Sequence, residues 1–248
     1  MLKNTKDSFP ELYALISREL KRQETNVELI AGDCVVPREV MELNGCIFAN
    51  KALEGNIGLR FHAGAGIADE MERMGTELTK KLFGAGHANL QPYSGSVANY
   101  AVYAAIAEAG DTILSMRLDQ GGHLTHGSQA NFLSKFFHYE HYGVNQETEA
   151  IDYDELEEKA RECRPKLIIA GASSYPLLID YERIASIAKN TGAYFMVDMA
   201  HISGLVAAGV IPSPVPHADF VTSSTTKTFC GPKSGMVMCK AEYKKNIK

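Results

Sequence analysis

Two short runs, Lys166-Leu-Ile-Ile-Ala170 and Ala193-Tyr-Phe-Met-Val-Asp198, decide the fold. Each is apolar at consecutive positions rather than alternate ones, the pattern of a strand buried on both faces. Residues 154–163 before the first run and 181–191 between the two carry charge at helical spacing, so the order is helix, strand, helix, strand. Strands apolar on both faces and separated by helices indicate a three-layer α/β/α architecture around a parallel or mostly parallel sheet. Ligands in such sheets bind outside the carboxyl ends of the strands.

The same rhythm extends outward. Gly110-Asp111 turns the chain into a strand at 112–116, and 218–222 and 236–239 are two further short strands. Upstream, an alanine-rich helix at 98–109 follows Ser94-Gly95-Ser96, and a helical pattern at 67–83 stops at Gly84-Ala85-Gly86. Leu12, Leu15, Ile16 and Leu20 recur at helical spacing within residues 11–22. No repeat or low-complexity linker interrupts the later part, so residues 1–60 are expected to form an N-terminal arm and residues 61–248 one large domain.

Composition narrows the class. The 248 residues hold 25 Lys and Arg against 30 Asp and Glu, a net charge of −5, with 45% hydrophobic and 22% charged residues. That supply of core material excludes disorder as the main state. The acidic balance, without a basic block, argues against nucleic acid or an anionic membrane as the principal partner. Cys34, Cys46, Cys163, Cys230 and Cys239 are odd in number and contain no C-x-x-C pair, so reduced thiols in a cytoplasmic protein are expected. No apolar segment follows the charged N-terminus, and the longest uncharged apolar stretch, 204–212, is too short to span a bilayer.

Four features carry chemistry. Lys227 stands a few residues past a strand, in Thr-Ser-Ser-Thr-Thr-Lys-Thr, with Gly231-Pro232 turning the chain after it. A lysine at a sheet mouth among small hydroxyls suits an amine of lowered pKa that forms a Schiff base, the alternative being an ordinary surface lysine. Asp198 ends a buried strand, where a carboxylate needs a cation; a protonated pyridine nitrogen is one partner, and an N-cap role is the other reading. Ser94-Gly95-Ser96 at a helix start offers hydroxyls, amides and the positive dipole end to a phosphate, although serine also caps many ordinary helices. Gly121-Gly122-His123-Leu124-Thr125-His126-Gly127 places two histidines after a strand. With no third ligand at suitable spacing a metal is not expected. An imidazole lying on a cofactor ring is the functional reading, and a loop histidine capping backbone carbonyls is the plain one.

Several long stretches in register resemble serine hydroxymethyltransferase: Leu82-Phe-Gly-Ala with Gln91-Pro-Tyr-Ser-Gly-Ser-Val-Ala-Asn-Tyr, Gly121-Gly-His-Leu-Thr-His-Gly-Ser, Val197-Asp-Met-Ala-His-Ile-Ser-Gly-Leu and Thr225-Thr-Lys-Thr-Phe-Cys-Gly-Pro-Lys. The resemblance runs from about residue 28 to residue 239. It implies a pyridoxal-phosphate fold of the aspartate-aminotransferase type (fold type I), usually a homodimer with shared sites. By that resemblance Lys227 carries pyridoxal 5'-phosphate, Asp198 pairs with its pyridine nitrogen and His123 stacks on its ring. Ser94, Gly95 and Ser96 hold the phosphate, with Ser224 also at the cofactor, and Ser173 and His201 face the phenolic oxygen. Glu54 matches the acid/base glutamate near the hydroxymethyl carbon, and Leu118 and Leu124 fall where the pterin of tetrahydrofolate is sandwiched.

Departures accompany the matches. Ala31-Gly32-Asp33-Cys34 stands where the family reads Ala-Ser-Glu-Asn, losing a serine that helps bind the substrate carboxylate. Ala52 replaces a tyrosine, Phe61-His62 replaces a Tyr-Tyr pair, Thr226 a histidine and Lys233 an arginine. Family members also continue into a small C-terminal domain whose arginine clamps the amino-acid carboxylate. Here that half is on a separate chain, or the sequence is a shortened form, or the protein does without it; Arg60 is the first candidate to replace the clamp. The expected function is therefore pyridoxal-phosphate chemistry on a small amino acid, led by serine/glycine hydroxymethyl transfer. The alternatives are a folate-independent aldolase or transaldolase acting on β-hydroxy amino acids, or a cofactor-bearing subunit of a split enzyme needing a second chain.

Overall fold

The computed structural model describes residues 3–247. Its strands are β1 (Gly55–Asn56), β2 (Leu59–Arg60), β3 (His87–Asn89), β4 (Thr112–Met116), β5 (His138–Tyr142), β6 (Leu167–Ala170), β7 (Tyr194–Asp198), β8 (Phe220–Ser224) and β9 (Gly235–Cys239). Its α-helices are α1 (Lys3–Ser8), α2 (Pro10–Thr25), α3 (Arg38–Asn44), α4 (Gly66–Phe83), α5 (Gly95–Ile106), α6 (Tyr153–Cys163), α7 (Tyr181–Thr191) and α8 (Ser203–Ala207).

Seven strands form the central sheet in the order β3-β9-β8-β7-β6-β4-β5. From β8 to β5 every pairing is parallel, while β9 runs antiparallel to β8 and β3 antiparallel to β9. The chain passes from β4 outward to β5, then returns to the other side of β4 for β6, β7 and β8. This reversal opens a crevice at the carboxyl ends of β4 and β6, where doubly wound sheets place their ligands.

Both faces of the sheet are covered, which explains the unbroken apolar runs. Leu114, Ile168, Phe195 and Val197 face α6 and α7, packing with Leu156, Ala160, Ile184 and Ile187. The alternate residues Ile113, Leu167, Ile169, Met196 and Phe220 face α5, against Ala98, Val102 and Ile106. Asp152 and Asp180 start α6 and α7 by accepting the N–H of Glu155 and Arg183 at 3.0 and 2.9 Å.

Local boundaries differ from the sequence pattern in places. The helix expected at 98–109 begins at Gly95, because Ser94 Oγ accepts the Val97 N–H at 3.2 Å and caps it. The strand expected at 218–222 is shifted to Phe220–Ser224. Asp219 instead accepts the Phe195 N–H and pairs with Lys240 at 2.6 Å. β3 and β5 were not expected, being a three-residue strand and a polar edge strand.

Taken whole, no residue from 4 to 64 is buried, although the Arg60 side chain is. Arg60 ties the β1–β2 hairpin to α4: it donates to Asp69 at 2.7 Å, to Glu72, and to the carbonyls of Leu53 and Gly55 at 2.8 and 2.6 Å. Its side chain is only 5% exposed, so the expectation that it could clamp a substrate carboxylate is corrected: its guanidinium is already engaged on both forks. Among the described residues no helix is long and apolar enough to cross a membrane, and the five cysteines are free thiols.

Candidate active site

Asp198 ends β7, the strand next to β6, and it is buried. Its Oδ2 accepts from Asn99 Nδ2 at 2.8 Å and from His126 Nε2 at 3.2 Å, and its Oδ1 from the Ala200 N–H at 3.0 Å. Burial raises the carboxyl's pKa, but the His126 ring, the Asn99 amide and the Ala200 N–H outweigh it and hold the group well below the usual carboxylate range. Asp198 is therefore a buried anion, and the N-cap reading reduces to a turn at Ala200, since the N-cap of α8 is Ile202. Gly171, at φ +114°, follows β6 so closely beside Asp198 that a Cβ there would meet the Asp198 carbonyl oxygen at 2.0 Å.

The histidine loop approaches from β4. His123 Nδ1 accepts the Thr125 N–H at 3.2 Å and lies 2.8 Å from Thr125 Oγ1, while His126 Nδ1 accepts the His123 N–H at 3.4 Å. The capping role foreseen for a loop histidine is thus present, directed at amides rather than carbonyls. Burial lowers the His123 pKa to about 4 despite the opposing charge of Asp198, so the ring is neutral at pH 7. Sequence spacing gave these histidines no third ligand, yet the fold brings Asp198 to them, with potential ligand atoms within 4.8 Å of one another. His126 and Asp198 satisfy each other by hydrogen bonding, and His123 Nδ1 is held by Thr125.

Lys227 lies three residues beyond β8, half-buried, with φ +53° in the left-handed region. Such backbone is costly for a residue with a Cβ and is often found where function fixes a side chain. Burial lowers its pKa, and the charge of Asp198 works the other way without restoring it. Its amine has no hydrogen bond or ion pair among the described residues. His201 Nδ1 is also buried without a hydrogen-bond partner among the described residues, and burial followed by the nearby Lys227 lowers that imidazole's pKa.

At the start of α5, Gly95 passes so near β8 that a Cβ would approach the Ser224 nitrogen at 3.2 Å. Ser224 Oγ in turn meets Thr226 Oγ1 at 2.7 Å. Ser173 is brought beside the histidine loop by its N–H, which donates to the Gly121 carbonyl at 2.7 Å. Glu54 and His62 lie on the exposed hairpin segment and pair at 2.9 Å. Leu118, Leu124 and Lys233 are exposed.

Asn99, Thr125 and Thr222 escaped the sequence reading. Each is fully buried or nearly so, and they link to one another and to Asp198. A lone asparagine inside an otherwise apolar, alanine-rich helix is the signal the sequence offers.

The donor set suits pyridoxal phosphate on structural grounds: a buried anion at a strand end, an unpaired amine of lowered pKa, an orphaned imidazole nitrogen and a glycine gap at a helix start. Sheet and site together define a fold type I α/β protein with its ligand crevice at the strand carboxyl ends. Residues 5–248 match the family serine hydroxymethyltransferase, and the chain belongs to that family. Its members depend on pyridoxal phosphate and act on small-molecule substrates.

Proposed function

We propose that this chain catalyses serine/glycine interconversion, or Cα–Cβ cleavage of a β-hydroxy amino acid, with pyridoxal phosphate held on Lys227. The observation that carries the reading is the buried, ionised Asp198 with the unpartnered Lys227 amine beyond the next strand. Asp198 would face the pyridine nitrogen, His123 the ring face, and Ser94, Gly95, Ser96 and Ser224 the phosphate. Ser173 and His201 would face the phenolic oxygen, giving the orphaned Nδ1 a partner. When bound, the cofactor supplies an electron sink for a carbanion at Cα. Glu54 holds or releases a proton at the hydroxymethyl oxygen, Leu118 and Leu124 flank a pterin where tetrahydrofolate is used, and Lys233 attracts the substrate carboxylate.

A folate-independent aldolase or transaldolase is favoured over the folate reaction by one contact. His62, where the family has a phenol, hydrogen-bonds Glu54 at 2.9 Å and gives that carboxylate an imidazole as its partner. The domain division proposed is an arm at 1–60 and a large domain at 61–248. Exposed Leu12, Leu15 and Leu20 on α2 suit a partner surface, so we take the working form as a cytoplasmic homodimer. Neither Lys233 nor Arg60 offers a free guanidinium fork, so a second polypeptide segment supplies the carboxylate clamp.

The test is reconstitution with pyridoxal phosphate, borohydride reduction and peptide mapping. Label at Lys227, with a spectrum perturbed by glycine or serine, supports the reading. Label elsewhere, or none, overturns it.

A further inference from the structure

The buried network beneath the site admits one assignment of donors and acceptors. Asp198 is a carboxylate and only accepts, so the nitrogen of Asn99 faces it, and Asn99 Oδ1 accepts the Thr222 hydroxyl at 2.5 Å. The second hydrogen of the same nitrogen goes to Thr125 Oγ1 at 2.8 Å. The hydroxyl proton of Thr125 is thereby directed to His123 Nδ1, 2.8 Å away, which also accepts the Thr125 N–H. Two donors converge on Nδ1, and the ring proton stands on Nε2, which has no partner among the described residues. Tyr103 holds the turn from below, its hydroxyl donating to the Thr125 carbonyl at 3.0 Å.

We propose that Asn99 is a positioning residue that ties the Asp198 carboxylate to the His123 imidazole through the Thr125 hydroxyl and fixes His123 as the Nε2–H tautomer. The free edge of the ring then presents a donor, and the two groups assigned to the cofactor's ring share one rigid frame. Asn99 is itself fully buried in α5, so the frame is anchored to the helix that also opens the Ser94 turn. The inference deepens the pyridoxal-phosphate reading, but it is a statement about the chain's own protons and is tested without cofactor.

The experiment is ¹⁵N NMR of the histidine side chains in the cofactor-free chain, with His123 assigned by its loss in His123→Asn. Wild type should show His123 Nδ1 as an unprotonated nitrogen and Nε2 as an N–H. Thr125→Val should raise the Nδ1–H to Nε2–H ratio by roughly fivefold, the change that loss of a hydrogen bond of about 1 kcal/mol produces. Thr125→Ser should restore the wild-type ratio. Asn99→Asp, which accepts the Thr125 hydroxyl proton and turns it away from the ring, should shift the ratio the same way. A ratio unchanged in Thr125→Val overturns the proposal even if Asn99→Asp fails to fold. Because no cofactor is present, that failure is distinct from failure of borohydride to label Lys227.

Discussion

His62 Nε2 lies 2.9 Å from Glu54 Oε2, on a hairpin segment where both side chains reach solvent. Exposed pairs of this kind contribute little to stability. His62→Tyr should leave the melting temperature nearly unchanged while lowering folate-independent cleavage of a β-hydroxy amino acid several-fold relative to folate-dependent serine cleavage. Glu54→Gln should depress both by about a hundredfold or more, the usual range for loss of a general acid/base. Parallel assays with and without tetrahydrofolate check this. A ratio unmoved by His62→Tyr counts against the aldolase reading.

Lys227 is placed at a cost to the fold. It combines a half-buried amine that has no partner among the described residues with left-handed backbone, each unfavourable for a lysine. Lys227→Ala should therefore fold at least as stably as the cofactor-free wild type. Lys227→Gly, which also relieves the backbone, should be about 1 kcal/mol more stable than Lys227→Ala. Denaturant unfolding of the three cofactor-free proteins measures the order. A Lys227→Ala protein markedly less stable than wild type would make Lys227 a structural residue.

The central sheet was legible because burial on both faces writes itself as continuous apolar sequence, as at 167–170 and 194–198. β5 was not, because an edge strand of alternating exposure, His138-Tyr-Glu-His-Tyr, carries no such run. In the site, charged and ring-bearing residues announced themselves at strand ends, whereas Asn99, Thr125 and Thr222 act only through contacts among residues up to 123 positions apart. The same limit explains Arg60, whose candidacy as a clamp was a matter of charge alone. Its partners Asp69 and Glu72 lie one and nearly two helical turns into α4, and only the folded hairpin brings them to it.

His123 should leave a signature in acid. Its folded pKa of about 4, set first by burial, lies below the ordinary value of about 6.5, so between those pH values the unfolded chain binds a proton that the folded chain refuses. Stability contributed by this group is fully present above pH 6.5 and falls as pH drops toward 4, with a slope of up to about 1.4 kcal/mol per pH unit. His141 and His201 are lowered as well and act in the same direction, so the comparison must be with a variant. His123→Phe should flatten the wild-type slope in that window. Urea unfolding at several pH values, read as the difference between the two proteins, isolates the term; equal slopes would mean that His123 titrates normally.

Substrate affinity offers the last test. Lys233 is exposed on the segment after Lys227, and it is a point charge where the family has a planar fork. Arg60 already donates to Asp69, Glu72 and two carbonyls, which leaves no fork to meet a carboxylate. Glycine should consequently bind weakly to the cofactor-loaded chain, and Lys233→Arg should tighten it by roughly tenfold, the gain expected when one charge-assisted hydrogen bond of about 1.5 kcal/mol is added. Arg60→Lys should instead destabilise the hairpin against α4 and change glycine affinity little. Spectral titration with glycine separates the two outcomes. Tight glycine binding by the unaltered chain, lost in Arg60→Lys without loss of stability, would return the clamp to Arg60.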